Sequence, residues 1–331
     1  MSSAGLGFSF DDPELEASVR KGVADVELAL AAAVRSDDAF LADVARYLVD
    51  AGGKRFRPLL SVLCAHLGDP TRPEIVTAAV VVELTHMATL YHDDVMDEAD
   101  VRRGTPSANA RWSNTVAILT GDFLFSRASE LLSDLGPEAV RLQSRTFARL
   151  VTGQLHETLG PRPGTDLAEH YLEVLADKTG SLIAAAAQFG SMFADAPASV
   201  VEAARRYGEQ IGVAFQLSDD ILDIVAESDA SGKRPGTDLR EGVRTLPVQY
   251  ALRSADPDQQ RLRTLLGRPT VAEDDMAEAL TLLRASTAID EARAVVAQYA
   301  DAARAELGPI PDSPARRALH ALTDAVVLRT S

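Results

Sequence analysis

Cysteine is almost absent from this chain: Cys64 is the only one in 331 residues. A lone thiol cannot close an internal disulfide, and no Cys/His grouping of the kind that holds zinc stands in the sequence. A reducing cytoplasm is therefore the expected compartment, with Cys64 a small core residue. Positive charge is also scarce. The 33 Lys and Arg stand against 49 Asp and Glu, a formal charge of −16, which excludes the broad basic face of a nucleic-acid binder. Any polyanion must be met locally, by metal and a few placed cations. The opening stretch MSSAGLGFSFDDPE lacks the basic start and apolar centre of a signal peptide, and no apolar run approaches the roughly 18 residues of a membrane span. A soluble protein is expected, with room for peripheral membrane contact. Fixed-period repeats, low-complexity tracts and phosphate loops of the G-x-G-x-x-G or Walker type are missing too, which disfavours nucleotide-binding folds.

Alternating strand patterns are likewise not convincing anywhere. Segments 13–33, 37–51, 74–98, 136–157, 166–192 and 198–226 are instead rich in Ala, Leu, Glu and Arg, with apolar residues at three- and four-residue steps, the period of helices. Short Gly- and Pro-bearing breaks at 68–73, 102–106, 159–165, 228–237 and 267–270 separate them as loops. The stretch 74–97 is nearly uncharged and predicts a helix buried on most sides. It ends, unusually, in three carboxylates.

Those carboxylates belong to one of two D-D-x-x-D patterns: Asp93, Asp94 and Asp97 in YHDDVMDEAD, and Asp219, Asp220 and Asp223 in LSDDILDI. On a helix, residues four apart share a face, so Asp93 lies over Asp97 and Asp219 over Asp223, with the middle Asp on the flank. Like charges at that spacing repel unless solvent or a cation screens them. One such cluster would pass as a solvated acidic turn; two inside apolar sequence point to carboxylate walls holding hard divalent cations and, through them, a polyanion. Oxygen-only ligands favour Mg²⁺, which binds through one or two carboxylates plus substrate phosphates. If both clusters share a ligand, the whole of 1–331 is expected to act as a single domain. Cations stand where a phosphate binder needs them: Lys54, Arg55 and Arg57 beside Gly52 and Gly53, Arg102 and Arg103 after the first cluster, and Lys233 in a loop after the second. Each pair taken alone would pass as solvated loop charge.

GGKRFRP, ELTHMATLYHDDVMDEADVRRGTPSAN and FQLSDDILDI followed by GKRPGTDLREGVRTLP, in that order over residues 50–250, resemble the trans-isoprenyl diphosphate synthases, or polyprenyl synthetases. The resemblance implies an all-α, isoprenoid-synthase-type helical bundle around a deep central cavity, a homodimer, and Asp clusters on facing helices near the mouth. It implies that Asp93, Asp97, Asp219 and Asp223 bind more than one Mg²⁺ on an allylic diphosphate, with Asp94 and Asp220 in the same catalytic clusters and Arg102 touching that diphosphate. Lys54, Arg57, His86 and Arg103 would hold isopentenyl diphosphate. Lys178, Thr179, Gln216 and Lys233 match further allylic-diphosphate and reaction-centre positions. Where many members read E-G-K-x-T-L-P, this chain has Val243 in place of the lysine and Arg244 next to it.

Short-chain members place a bulky aromatic four or five residues before the first cluster. Here those positions are Thr89 and Ala88. Helical geometry favours Thr89 and the family pattern Ala88 as the chain-length position; both are small, so the tunnel is expected to stay open for roughly seven to ten isoprene units. Such a product suits a quinone side chain. A short-chain farnesyl or geranylgeranyl synthase is the alternative. A class I terpene cyclase would have no use for the GGKRFRP and His86 set, and a non-catalytic subunit would be expected to have lost part of one cluster.

Overall fold

Local chemistry marks where the helices start. In the computed structural model, which describes residues 10–226 and 235–330, the first helix, α1 (Pro13–Ala33), begins where the Asp12 carboxylate accepts from the Glu14 and Leu15 amides at 3.0 and 2.9 Å. Proline at the first helical position completes the start. There follow α2 (Ala39–Asp50), α3 (Phe56–Ala65), α4 (Glu74–Met96), α5 (Ala108–Arg111), α6 (Asn114–Leu135), α7 (Pro137–Leu159) and α8 (Leu167–Leu175). A π-turn (Ala176–Gly180) leads into α9 (Ser181–Phe193) and α10 (Ala198–Val225). After α11 (Thr237–Arg240) come α12 (Leu246–Arg253), α13 (Gln260–Leu266), α14 (Glu273–Arg284), α15 (Thr287–Glu306) and α16 (Pro314–Leu328). Asp38, Ser113 and Asp166 cap α2, α6 and α8 as Asp12 caps α1. Among the described residues, extended pairing is confined to a two-residue ladder, β1 (Val101–Arg102) against β2 (Thr105–Pro106).

The all-α class expected from the periodicity holds. Segments 13–33, 74–98 and 198–226 coincide with α1, α4 and α10 to within two residues, whereas 166–192, read as one helix, is divided by the π-turn.

The described chain sorts into two compact units. The first comprises residues up to Ala148 with Leu182–Gly208 and Glu306–Ala321; the second comprises Arg149–Ser181, Glu209–Ala305 and the chain from Leu322. In the first unit α4 forms the core: Ile75, Val80, Val81, Val82, Leu84, Met87, Ala88 and Tyr91 are all buried. Among the described residues α4 is also the one helix long and apolar enough to cross a membrane, and most of that apolar stretch is buried within the protein. Two hydroxyls in this core are paired. The Thr85 hydroxyl donates to the Val81 carbonyl at 2.8 Å and accepts from Gln143 Nε2 at 2.7 Å, and the Tyr91 hydroxyl donates to the Val44 carbonyl.

Close backbone approach explains Gly190 in α9. A Cβ there would lie 2.0 Å from the Ser61 carbonyl oxygen of α3, whose own side chain donates to the Ala186 carbonyl at 2.9 Å. No rotamer relieves a clash with backbone. Gly190→Ala is expected to cost about 3 kcal/mol or more, because the two helices must part to admit the methyl group. An unchanged urea midpoint would rule this packing out.

In the second unit, residues 209–225 of α10 carry the second Asp cluster. Ser218 donates to the Val326 carbonyl at 3.0 Å, and Arg284 closes the end of α10 by donating to the Ile224 and Ala226 carbonyls at 2.7 and 3.2 Å. Those carbonyls have no partner within the helix.

Candidate active site

In the first unit, Gly52 (φ 77°) and Gly53 (φ 149°) turn the chain out of α2, and Arg55 opens α3 in the left-handed conformation at φ 50°, ψ 34°. Lys54 is exposed, Arg55 buried and Arg57 half-buried. Arg103 (φ 54°) and Gly104 (φ 78°) form the tip of the β1–β2 hairpin, the two positive φ values that a two-residue hairpin turn of the primed type requires. From that tip Arg103 Nη1 donates to the Leu48 carbonyl at 2.9 Å and to the Gly52 carbonyl, so it closes the C-terminal end of α2. Glycine at 53 makes room for it. A Cβ there would sit 3.0 Å from the guanidinium carbon of Arg103.

His86 lies two turns before Asp93 on α4. Burial first, and then the positive charges of Arg57, Arg103, Arg102 and Arg55, hold its pKa well below the ordinary imidazole value. The ring is thus neutral at pH 7. Burial also draws Arg57 down to about 10, with Glu83 opposing and Arg103 assisting. It stays charged at neutral pH, yet its Nε is buried with no hydrogen-bond partner. A buried donor left unpaired costs about 1–3 kcal/mol, and an incoming anion would relieve that cost.

The first Asp cluster divides by depth. Asp93 is half-buried and Asp97 exposed at the end of α4, whereas Asp94 is fully buried. Arg102 Nε donates to Asp94 Oδ1 at 2.5 Å; Asp94 Oδ2 is buried and without a partner. Burial raises the Asp94 pKa although Arg102 opposes it. The middle Asp therefore anchors Arg102, and the outer two lie less deep.

The second cluster, in the second unit, divides in the same way. Asp220 is buried, and its carboxylate accepts from the Tyr171 hydroxyl at 2.6 Å and from Gln216 Nε2 at 3.1 Å. Burial pushes its pKa up to about 7, opposed by those two bonds and assisted by Asp219 and Asp223. Tyr171 is raised well above its ordinary value, chiefly by burial. Arg329 Nη2 donates to Asp219 at 2.6 Å, with its guanidinium 5.0 Å from the Phe215 ring centroid. The Asp223 carboxylate accepts from the Thr237 and Asp238 amides at 3.1 and 3.0 Å and so fixes the start of α11. Lys178 and Thr179 stand on the π-turn, where Lys178 donates to Glu157. Arg149 pins this turn by pairing with Asp177 at 2.9 Å and with Glu209 at 2.7 Å. Val243 and Arg244 are exposed. Lys233 lies outside the described residues.

The first unit thus brings Arg57, His86, Arg102 and Arg103 to one region of charge beside the first cluster; in the second, Gln216 bonds to its cluster, whereas Lys178 pairs with Glu157. Tyr171, Arg329 and Glu83 had escaped notice. No local signal could have found Tyr171 or Arg329, which meet the cluster from 49 and 110 residues away.

Among the described residues, no three His, Cys, Asp or Glu side chains are gathered closely enough to hold a metal by themselves. Mg²⁺ does not ask for such a cage, since one or two carboxylates and substrate phosphates suffice. The hard oxygen donors of Asp93, Asp97, Asp219 and Asp223 fit it, and Asp219 already draws a cationic group in Arg329.

Residues 38–283 match the family described as polyprenyl synthetase. The chain is 53% identical over 324 residues to a nonaprenyl diphosphate synthase of Mycobacterium tuberculosis, covering 98% of this chain and 97% of that one. It is 46% identical over 317 residues to a dimethylallyltranstransferase of the same organism, with 96% of each covered. Among solved structures, geranylgeranyl pyrophosphate synthase from Corynebacterium glutamicum, complexed with calcium and isoprenyl diphosphate, superposes with a TM-score of 0.87 at 46% identity, covering 97% of this chain and 99% of that one. With its all-α architecture, its two Asp-rich helices and a family match over most of its length, this chain is a prenyltransferase and belongs to the polyprenyl synthetase family.

Proposed function

We propose that this enzyme condenses isopentenyl diphosphate repeatedly with an allylic diphosphate to make a long all-trans polyprenyl diphosphate of about nine isoprene units, a precursor of a quinone side chain. The observation that carries the condensation is the cationic pocket of the first unit, where a buried, unpartnered Arg57 Nε and a neutral His86 stand among guanidinium groups. It suits a diphosphate. Lys54, Arg57, His86 and Arg103 take isopentenyl diphosphate, while Asp93, Asp97, Asp219 and Asp223 take Mg²⁺, more than one ion, on the allylic diphosphate. Arg102, Lys178, Thr179, Gln216 and Lys233 complete that second set. The similar Corynebacterium protein is complexed with calcium, a hard divalent cation of the kind that oxygen donors hold, which supports a metal-dependent site.

Bound Mg²⁺ supplies Lewis-acid stabilisation of the charge that grows on the leaving diphosphate. Arg102, anchored by Asp94, adds positive charge that is held in place beforehand, and Lys178 on the π-turn adds its own on leaving Glu157. The allylic carbon becomes cationic as its bond to oxygen breaks. The double bond of isopentenyl diphosphate, held by Arg57 and its neighbours, forms the new carbon–carbon bond, and a proton then passes to the departed diphosphate. The product is again allylic, longer by one unit. Apolar walls must keep water from the cation, which it would quench to an alcohol.

The enzyme works as a single functional domain in the cytoplasm, as a pair of identical chains. Ile118 and Leu119 of α6, 42% and 59% exposed, offer an apolar face for the second copy, and peripheral membrane contact would serve release of an insoluble product. The test is incubation of purified protein with Mg²⁺, farnesyl or geranylgeranyl diphosphate and labelled isopentenyl diphosphate, followed by sizing of the products. About nine units are expected. EDTA should abolish incorporation and Mg²⁺ restore it; a wild type that stops at four units defeats the long-chain assignment, and no incorporation defeats the condensation itself.

A further inference from the structure

Arg55 stands between two residues assigned to isopentenyl diphosphate, Lys54 and Arg57, yet its bonds are all to the protein. Its guanidinium is buried and spent on protein: Nε and Nη2 donate to Glu27, Nη1 donates to Glu83 at 2.9 Å, and Nη2 donates to the Val49 carbonyl at 3.1 Å. None of its nitrogens is turned to a ligand. Its left-handed backbone, at φ 50° with no side-chain cap, costs about 1–2 kcal/mol and persists only where the surroundings impose it. The carboxylates that grip the side chain impose it here.

Glu83 is the less expected of the two. It is 2% exposed on α4, one turn before His86, and buried carboxylates persist only when paired. Beyond its bond to Arg55, its charge acts on Arg57 and on Arg103. Without it, the buried guanidinium groups of Arg55, Arg57 and Arg103 would repel one another before any anion arrived. Glu27 cannot substitute, because its side chain is 33% exposed and, among the described residues, is paired with Arg55.

We propose that Glu83 is a positioning residue of the isopentenyl diphosphate site. It grips Arg55, thereby fixes the turn from which Lys54 and Arg57 project, and holds Arg57 and Arg103 together in advance of the diphosphate. It does not touch the substrate. This rests on the assignment of that pocket to isopentenyl diphosphate, so Arg57→Ala serves as the control for the assignment itself.

The experiment is calorimetric titration of the full-length protein with isopentenyl diphosphate, alongside steady-state kinetics, for wild type, Arg57→Ala, Glu83→Gln and the double variant Arg55→Met/Glu83→Met. The double variant replaces a buried ion pair with apolar side chains of similar length, an exchange that cores tolerate. Both Glu83 variants are expected to weaken isopentenyl diphosphate binding and raise its KM by roughly tenfold or more, the size of a lost charge-assisted contact, with the allylic KM within about threefold of wild type. Selective weakening in Arg57→Ala with normal binding in Glu83→Gln would overturn the inference. So would recovery of wild-type affinity in the double variant, which would reduce Glu83 to a neutraliser of Arg55. Should Glu83→Gln fail to fold, the double variant decides alone. Normal binding in Arg57→Ala would defeat the pocket assignment and the inference with it.

Discussion

Asp93→Ala is expected to lower turnover by about a thousandfold or more, roughly 4 kcal/mol of transition-state stabilisation, while leaving the fold intact. The residue is half-buried at the end of α4, and its removal relieves repulsion with Asp97. Asp219→Ala should lose as much, with one difference. It strips Arg329 of its carboxylate partner, a bond at 2.6 Å, so a small stability change is expected at the chain end, bounded by the few tenths to 1 kcal/mol of partly exposed pairs. Asp94→Ala behaves otherwise. It empties a fully buried site and frees Arg102, so stability and turnover should fall together. Steady-state rates and urea melts of the three variants make the comparison. Near-normal turnover in Asp93→Ala or Asp219→Ala would remove the metal-carrying carboxylates from the mechanism.

Thr89→Phe is expected to shorten the product to about fifteen or twenty carbons while the first condensation largely survives, because a ring in a close-packed interior cannot be bypassed. The helix rises about 1.5 Å per residue, so the eleven residues from Asp93 back to Val82 span roughly 16 Å along α4. Thr89 is half-buried with its hydroxyl folded back onto the His86 carbonyl at 2.8 Å, so a larger side chain has room to project. Ala88 does not. It is fully buried, and its carbonyl oxygen lies 3.1 Å from where a Cβ on Gly121 of α6 would stand. Ala88→Phe should therefore destabilise the first unit rather than re-size the product. Chromatographic sizing of products from one starter compares them; an unchanged length in Thr89→Phe would send the growing chain by another route.

The helices were legible because their apolar periods are long and uninterrupted, and α1, α4 and α10 lie where the pattern places them. The Asp clusters were legible for a different reason: repulsive charges repeated in apolar surroundings demand a cause that local sequence can show. What escaped depends on distant partners. Asp94 and Asp220 read as members of acidic faces, but burial with Arg102 and with Tyr171 gives them another duty. Arg55 read as one more loop cation, and only the approach of Glu27 and Glu83 shows that it is an internal one. The division of the chain into two compact units has no marker in composition, since the boundaries fall inside helical segments.

The π-turn at Ala176–Gly180 has a consequence for how this segment tolerates insertion and deletion. A π-turn holds one residue more than the α-turn it replaces, so the side chains within it are displaced from where an uninterrupted helix would carry them. Losing a single residue there would restore regular hydrogen bonding at the end of α8, and local propensity would welcome the change. It would also swing Lys178 off Glu157 and Asp177 off Arg149. Regularity of the helix and the aim of one amine are in conflict here, and the fold resolves the conflict in favour of the lysine.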